Sequence, residues 1–150
     1  MKPHNLTRKT VINRNINEVF DFFSKADNLN KITPPALGFK IITSLPIEMK
    51  KGTLINYKIS LNGIPFNWLT EITDWNPPFS FEDTQLKGPY KMWIHKHTFE
   101  EINGMTVMKD TVNYISPGGI FEFIPHNLIV KKKVESIFDY RQKIFNELFK

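Results

Sequence analysis

Tyr90-Lys91-Met92-Trp93-Ile94-His95-Lys96-His97-Thr98-Phe99-Glu100-Glu101-Ile102-Asn103-Gly104-Met105-Thr106-Val107-Met108-Lys109-Asp110-Thr111-Val112-Asn113-Tyr114 reads as two antiparallel strands folded about Asn103-Gly104. A type I′ turn needs positive φ at both central residues, and Asn-Gly is the pair that accepts it most readily. A two-residue turn there sets Phe99 opposite Met108, His97 opposite Asp110, His95 opposite Val112 and Trp93 opposite Tyr114. These eight side chains share one face, because successive residues of a strand alternate. The other face carries Ile94, Lys96, Thr98, Glu100, Val107, Lys109, Thr111 and Asn113, mostly groups that favour water. The inner face is therefore aromatic and carries two imidazoles and a carboxylate where an ordinary core has Val and Leu.

Upstream, Asn62-Gly63 gives a second I′-type signal. It pairs Ile59 with Phe66 and Tyr57 with Trp68, and places Ile55, Tyr57, Ile59, Leu61, Ile64, Phe66, Trp68 and Ile72 on one core face. The strand from about Phe79 to Leu86 is joined to Tyr90 by Lys87-Gly88-Pro89. A three-residue turn brings Phe81, Asp83 and Gln85 to the inner face beside His95 and Trp93, whereas a two-residue turn brings Glu82 and Thr84. Phe79 and Phe81 favour the former. A short strand is expected from about Phe39 to Ser44, and a first strand from about Asn5 to Asn13. Between those two, Asn15 with Glu18 forms a capping-box pattern opening a helix through Val19, Phe20, Phe22 and Phe23. Asp27 is placed to cap a second short helix, which Pro34-Pro35 stops.

Downstream, Pro117-Gly118-Gly119 ends the sheet, and the period changes. Ile124, Leu128, Val134, Ile137, Phe138, Ile144, Phe145 and Leu148 follow helical spacing, predicting a helix from about Ile120 to Phe149 with Pro125 in its first turns. About 30 residues would span roughly 45 Å, enough to cross a curved sheet. Strands bracketed by helices argue for an α+β domain with an antiparallel sheet, and residues 1–150 read as one domain without repeats or linkers.

Composition narrows the function classes. There is no cysteine, which removes disulfide scaffolds, thiolate metal sites and Cys nucleophiles and suits a reducing cytoplasm. The first residues lack the apolar stretch of a signal peptide, and no apolar run approaches the ~18 residues of a membrane span. A net charge of +5 is spread along the chain, and Lys131-Lys132-Lys133 points three ways on a helix. Neither nucleic acid nor stable membrane insertion is expected. The aromatic content, 13% with 13 Phe, is high, so rings either thicken a core or line a cavity.

Burying imidazoles and a carboxylate costs a few kcal/mol each unless they are paired. His97 and Asp110 can satisfy each other as a cross-strand structural pair. The same groups in an aromatic wall also have the composition of a ligand site, and an imidazole oriented by a carboxylate suits general acid-base chemistry. His95-Lys96-His97 has strand spacing that can offer two imidazoles to one ion, with a third ligand to come from Asp110, Asp83, His4 or His126. With that third ligand undefined, no metal and no cofactor is expected.

Ile32-Thr33-Pro34-Pro35, Leu37-Gly38-Phe39, Gly88-Pro89-Tyr90 with Trp93, His95, His97 and Phe99, then Asp110, Val112, Tyr114 and Pro117-Gly118, and Ile137-Phe138-Asp139-Tyr140-Arg141 together resemble the bacterial ligand-binding SRPBCC proteins of the START/Bet v 1-like superfamily. These are related to the polyketide cyclase/dehydrase and coenzyme Q-binding branches. The resemblance runs through nearly the whole chain. It implies a helix-grip fold: a seven-stranded antiparallel sheet curved around a long C-terminal helix, two short helices after strand 1, and a deep apolar cavity between them. Fold alone does not assign activity. The expected function is binding of a small hydrophobic or aromatic molecule by a carrier or sensor. Tyr57, Phe66, Trp68, Phe81, Trp93 and Tyr114 supply contact area, His95, His97 and Asp110 polarity, and Val134, Phe138 and Arg141 the helix side. The alternatives are a cyclase- or dehydratase-like enzyme using His97 oriented by Asp110, and a protein- or membrane-interaction domain using Lys131 to Lys133.

Overall fold

Seven strands form one antiparallel sheet in the order β1-β7-β6-β5-β4-β3-β2. The computed structural model describes residues 3–61, 63–117, 125 and 129–149. The strands are β1 (His4–Ile12), β2 (Lys40–Ile41), β3 (Leu54–Leu61), β4 (Ile64–Asn76), β5 (Ser80–Lys87), β6 (Tyr90–Ile102) and β7 (Met105–Pro117). The helices are α1 (Ile16–Phe23), α2 (Leu29–Ile32) and α3 (Lys131–Leu148), with 3-10 turns at Ala26–Asn28 and Pro35–Leu37. The first strand pairs with the last, so β1 is bonded to β7 and the other strands follow as a meander.

The hairpin β6–β7 has the register its turn demands, with Trp93↔Tyr114, His95↔Val112, His97↔Asp110 and Phe99↔Met108. Asn103 and Gly104 take φ of 54° and 78°, the left-handed conformations that a two-residue turn requires. In β3–β4, Tyr57↔Trp68 and Ile59↔Phe66 pair likewise. Gly63 has φ of 79°, while Asn62 lies outside the described residues. The connection after β5 follows the three-residue alternative: Phe81↔His97 and Asp83↔His95. Gln85 braces that turn, its amide donating to Tyr90 O at 2.6 Å and accepting from Tyr90 N at 3.2 Å. A Cβ on Gly88 would run into the same Gln85 amide, which is why glycine stands there.

Asn15 caps α1, its side-chain oxygen accepting from Glu18 N at 2.9 Å. The buried side of α1 is Ile16, Val19, Phe20 and Phe23. Along α3 the buried residues are Val134, Phe138, Arg141 and Phe145, three or four apart on one stripe. Val134 and Phe138 join Trp68, Trp93 and Val112 in one cluster, and Phe145 packs with Phe20, Phe23, Phe81 and Phe99 in another. The helix therefore grips both ends of the sheet's inner face.

Several expected boundaries move. Asp27 caps nothing: it lies inside a 3-10 turn, and Asn28 instead donates its side-chain amide to Phe22 O at 2.8 Å. The strand expected to Ser44 shrinks to Lys40–Ile41, because Ile42 N and Thr43 N both donate to Asn56 O and the ladder loses its alternation. Phe79 is 57% exposed in the turn before β5, and Ile64, at the tip of its hairpin, is 38% exposed, so neither belongs to the core. The described helix α3 begins at Lys131 and runs 18 residues, roughly 27 Å, and its Leu148 is exposed. Gly118, Gly119, the helix expected from Ile120, its apolar positions Ile124 and Leu128, and His126 lie outside the described residues.

Candidate functional site

The inner face of the sheet, the α1–α2 segment and α3 line a partly open cavity of about 140 Å³. An apolar void of ~150 Å³ holds a benzene-sized guest, so the space suits a small ring compound. Its wall is aromatic and aliphatic for most of its extent. Tyr57, Trp68, Tyr90 and Trp93 come from the sheet, Phe23, Leu29 and Ile32 from the helical segment, and Ile137 and Phe138 from α3. Polarity is confined mainly to one pole, where Asp83, His95, His97 and Arg141 meet.

That pole is a bonded network. His95 Nε2 lies 2.8 Å from Asp110 Oδ1, and Arg141 Nη2 donates to the same oxygen at 3.2 Å. His97 Nε2 lies 2.8 Å from Asp83 Oδ2. His97 Nδ1 is 3.2 Å from Asp110 Oδ1 but is too poorly aimed to bond, and it is left without a partner. So the carboxylate that orients His97 is Asp83, and Asp110 serves His95 and Arg141. The expected His97–Asp110 contact is present through Nδ1 at 3.2 Å without being a hydrogen bond, and the ring's hydrogen bond is made by Nε2 to Asp83. The cross-strand register is nonetheless as expected.

The rings form a column. Phe81 stacks on His97 at 4.0 Å, His97 stacks on His95 at 3.7 Å, and Phe138 meets His95 edge-on at 5.3 Å. Arg141 lies 5.2 Å from the Phe138 ring and 5.3 Å from that of Phe145. Packing thus fixes every member of the pole.

Burial alone would raise the Asp110 pKa, but the Arg141 guanidinium, the bond from His95 and the close approach of His97 hold it well below the usual carboxylate range. An ionised Asp110 only accepts, so His95 Nε2 carries the hydrogen. Burial and the neighbouring His97 push His95 down to about 4, leaving it neutral with Nδ1 unprotonated. For His97 burial also works against the charge, yet Asp110 and Asp83 outweigh it and raise its pKa. Burial opposes ionisation of Asp83 too, and the His97 bond with nearby positive charge brings it below its ordinary value. Two carboxylates and the Arg141 guanidinium meet here, and a proton on His97, favoured by the two carboxylates, offsets the second negative charge.

Of the twelve residues expected at the site, Tyr57, Trp68, Phe81, Trp93, His95, His97, Phe138 and Arg141 line the cavity. Asp110 stands behind the imidazoles, 3% exposed. Phe66 is half-buried against the outer part of the core. Tyr114 and Val134 face a separate cleft of about 210 Å³ with His4, Asn5, Leu6, Lys131 and Glu135. Asp83, Thr70, Tyr90 and the α1–α2 residues are lining groups that the expected set lacks. Thr70 was readable, since it falls between Trp68 and Ile72 in the same alternation. Asp83 depended on the turn length. The α1–α2 residues gave no sign, because nothing local reports which way a short helix faces. In the Lys131–Lys133 run, Lys131 and Lys132 are exposed, and Lys131 lies 3.9 Å from Glu135 within α3. No helix among the described residues is long and apolar enough to cross a membrane.

No family model matches the chain, and no curated protein does. Solved structures do. Ginseng major latex-like protein 151 from Panax ginseng aligns with a TM-score of 0.68 at 13% identity, covering 98% of this chain and 97% of that one. Zhui aromatase/cyclase from Streptomyces sp. R1128 aligns with a TM-score of 0.74 at 12% identity, covering 97% and 93%. A protein from Mycobacterium smegmatis gives 0.69 at 16% identity, covering 96% and 89%. Likeness at these identities speaks for architecture alone, and with the strand order and helix placement it gives the chain the START/Bet v 1-like helix-grip fold.

Proposed function

We propose that this protein binds a small, largely apolar molecule in the space between sheet and helix, as a carrier or sensor with no chemical step. The observation that carries this reading is the division of the cavity wall: aromatic and aliphatic over most of its surface, polar at the Asp83–His95–His97–Arg141 pole. A purely structural core fills such a space, since interiors pack to crystal-like density. A guest with a ring body and one polar group satisfies both parts of the wall. Native mass spectrometry of protein purified from its own host tests the reading. A mass in excess of the chain, released on denaturation as a small organic molecule, is the expected result; only the bare chain mass, from host protein and after incubation with hydrophobic metabolite extract, would contradict it.

One observation favours a second reading, acid-base catalysis on a bound carbonyl compound. His97 and Asp83 are hydrogen-bonded at 2.8 Å and both line the cavity, and an aromatase/cyclase has the same fold. In that case His97 moves the proton and Asp83, not Asp110, orients it. A His97→Ala variant separates the readings: a carrier loses at most about tenfold in affinity, the worth of one hydrogen bond, whereas an enzyme loses turnover by ~10²-fold or more.

A further inference from the structure

We propose that Asp83, His95 and His97 form a site for one first-row divalent metal ion, with Zn(II) and Fe(II) best suited to the donor set, whose open position faces the cavity. The three residues each offer one ligand atom, and these atoms all lie within 4.8 Å of one another. A tetrahedral ion with ~2.1 Å bonds holds its ligands ~3.4 Å apart, so the widest gap has at most ~1.4 Å to close by side-chain rotation. The framework is rigid: His95 and His97 alternate on β6, and Asp83 sits directly opposite His95 on β5. Two imidazoles and one carboxylate with a vacant coordination position are the donor set of catalytic zinc and non-haem iron sites.

The groups behind these ligands are placed as metal chemistry requires. A metal-bound His donates its other ring N–H to a carboxylate or carbonyl, which fixes the tautomer. Asp110 Oδ1 already lies 2.8 Å from His95 Nε2, which leaves His95 Nδ1 for the ion. It also lies 3.2 Å from His97 Nδ1, the buried nitrogen without a partner, and the ring rotation that brings Nε2 onto an ion is what would aim Nδ1 at it. An ion on His97 Nε2 replaces the hydrogen now directed at Asp83, confines the ring's proton to Nδ1 and so gives that nitrogen a purpose. Arg141, donating to Asp110 at 3.2 Å, holds this shared carboxylate in turn. With both imidazoles neutral, the two carboxylates and Arg141 sum to −1, and a divalent ion brings the pole to +1. An oxygen anion in the open position, hydroxide or an ionised oxygen of a guest, restores neutrality. The site goes beyond cavity binding and does not depend on it: a protein that takes up apolar guests but no metal refutes only this proposal.

The test uses full-length protein dialysed against chelator and titrated with Co(II), whose visible absorption reports coordination, then with Zn(II) in competition. The expected result is one Co(II) per chain with the intense spectrum of a four- or five-coordinate ion carrying nitrogen ligands, displaced by Zn(II). The bound Co(II) should also broaden the His95 and His97 imidazole resonances beyond detection. Asp83→Asn, nearly isosteric and partly exposed to the cavity, should weaken Co(II) at least tenfold while its metal-free melting temperature stays within a few degrees of wild type. His4→Ala should bind as wild type does. Weak octahedral Co(II) only, binding undiminished in Asp83→Asn, or loss of binding in His4→Ala would each overturn the site. If Asp83→Asn fails to fold, the wild-type spectrum and the resonance broadening decide alone.

Discussion

Asp110→Ala removes the carboxylate on which the polar pole converges. Asp110 is 3% exposed, accepts from Arg141 at 3.2 Å and bonds His95 at 2.8 Å. Its loss leaves the Arg141 guanidinium, whose side chain is 9% exposed, as an uncompensated charge between Phe138 and Phe145. Stranding one member of a buried ion pair costs about 3–5 kcal/mol. Net stability of a domain is only about 5–15 kcal/mol, so the variant should stay folded with little margin. At about 2–4 °C per kcal/mol for a chain of this size, the melting temperature should drop by roughly 6–20 °C. Urea unfolding followed by tryptophan fluorescence gives the free energy, and an unchanged m value shows that the denatured state is the same. Combining Asp110→Leu with Arg141→Met should recover at least half of the loss, because an apolar pair of similar volume has no charge to desolvate. A cost below about 1 kcal/mol for Asp110→Ala, or a double variant as unstable as Asp110→Ala, would refute the reasoning.

The two imidazoles should titrate far apart in metal-free protein. His95, pushed down to about 4, loses native stability as pH falls from 6.5 towards 4, where only the unfolded chain takes the proton. His97, raised above 6.5, contributes stability that is complete below 6.5 and is lost as pH rises through its folded value. Imidazole ¹⁵N spectra should therefore show His97 charged and His95 neutral at pH 6.5; coincident titration of both would contradict the network. Ile59→Phe places a ring in the cavity that Ile59 lines and should cut guest affinity tenfold or more, at a stability cost of about 1–3 kcal/mol. Calorimetry checks it, with unaltered affinity as the contrary result. Asn15→Ala removes the cap of α1 and should cost about 1 kcal/mol in urea unfolding, and no change would mean that water replaces the bond.

The strands and both hairpin registers were legible because turn chemistry and period-two alternation are local. Asn103-Gly104 fixed the partners of His95, His97 and Phe99 without any knowledge of the rest of the chain. Which nitrogen meets which carboxylate was not legible. Register placed His97 opposite Asp110, but the bond goes to Asp83 on the other neighbouring strand, a choice made by ring orientation and the Phe81 stack. Tyr114 and Val134 show the same limit from the other side. Both point inward, yet both lie beyond the end of the cavity, since an inner face is longer than the space it encloses. The contribution of α1 and α2 to the wall was hidden because it depends on how a short segment docks, and Asp27 shows that a plausible cap residue need not cap.

Trp68 and Trp93 line the cavity, whereas Trp75 packs between Phe20 and Phe81 outside it. Titrating the purified protein with nitrobenzene, a one-ring compound with one polar group, and following tryptophan fluorescence in wild type, Trp68→Phe and Trp93→Phe therefore reports on an internal guest. Saturable quenching at one nitrobenzene per chain, reduced in amplitude in each Trp→Phe variant, is the predicted result. Quenching that rises linearly without saturation, or that is carried wholly by Trp75, would show that this interior takes no guest.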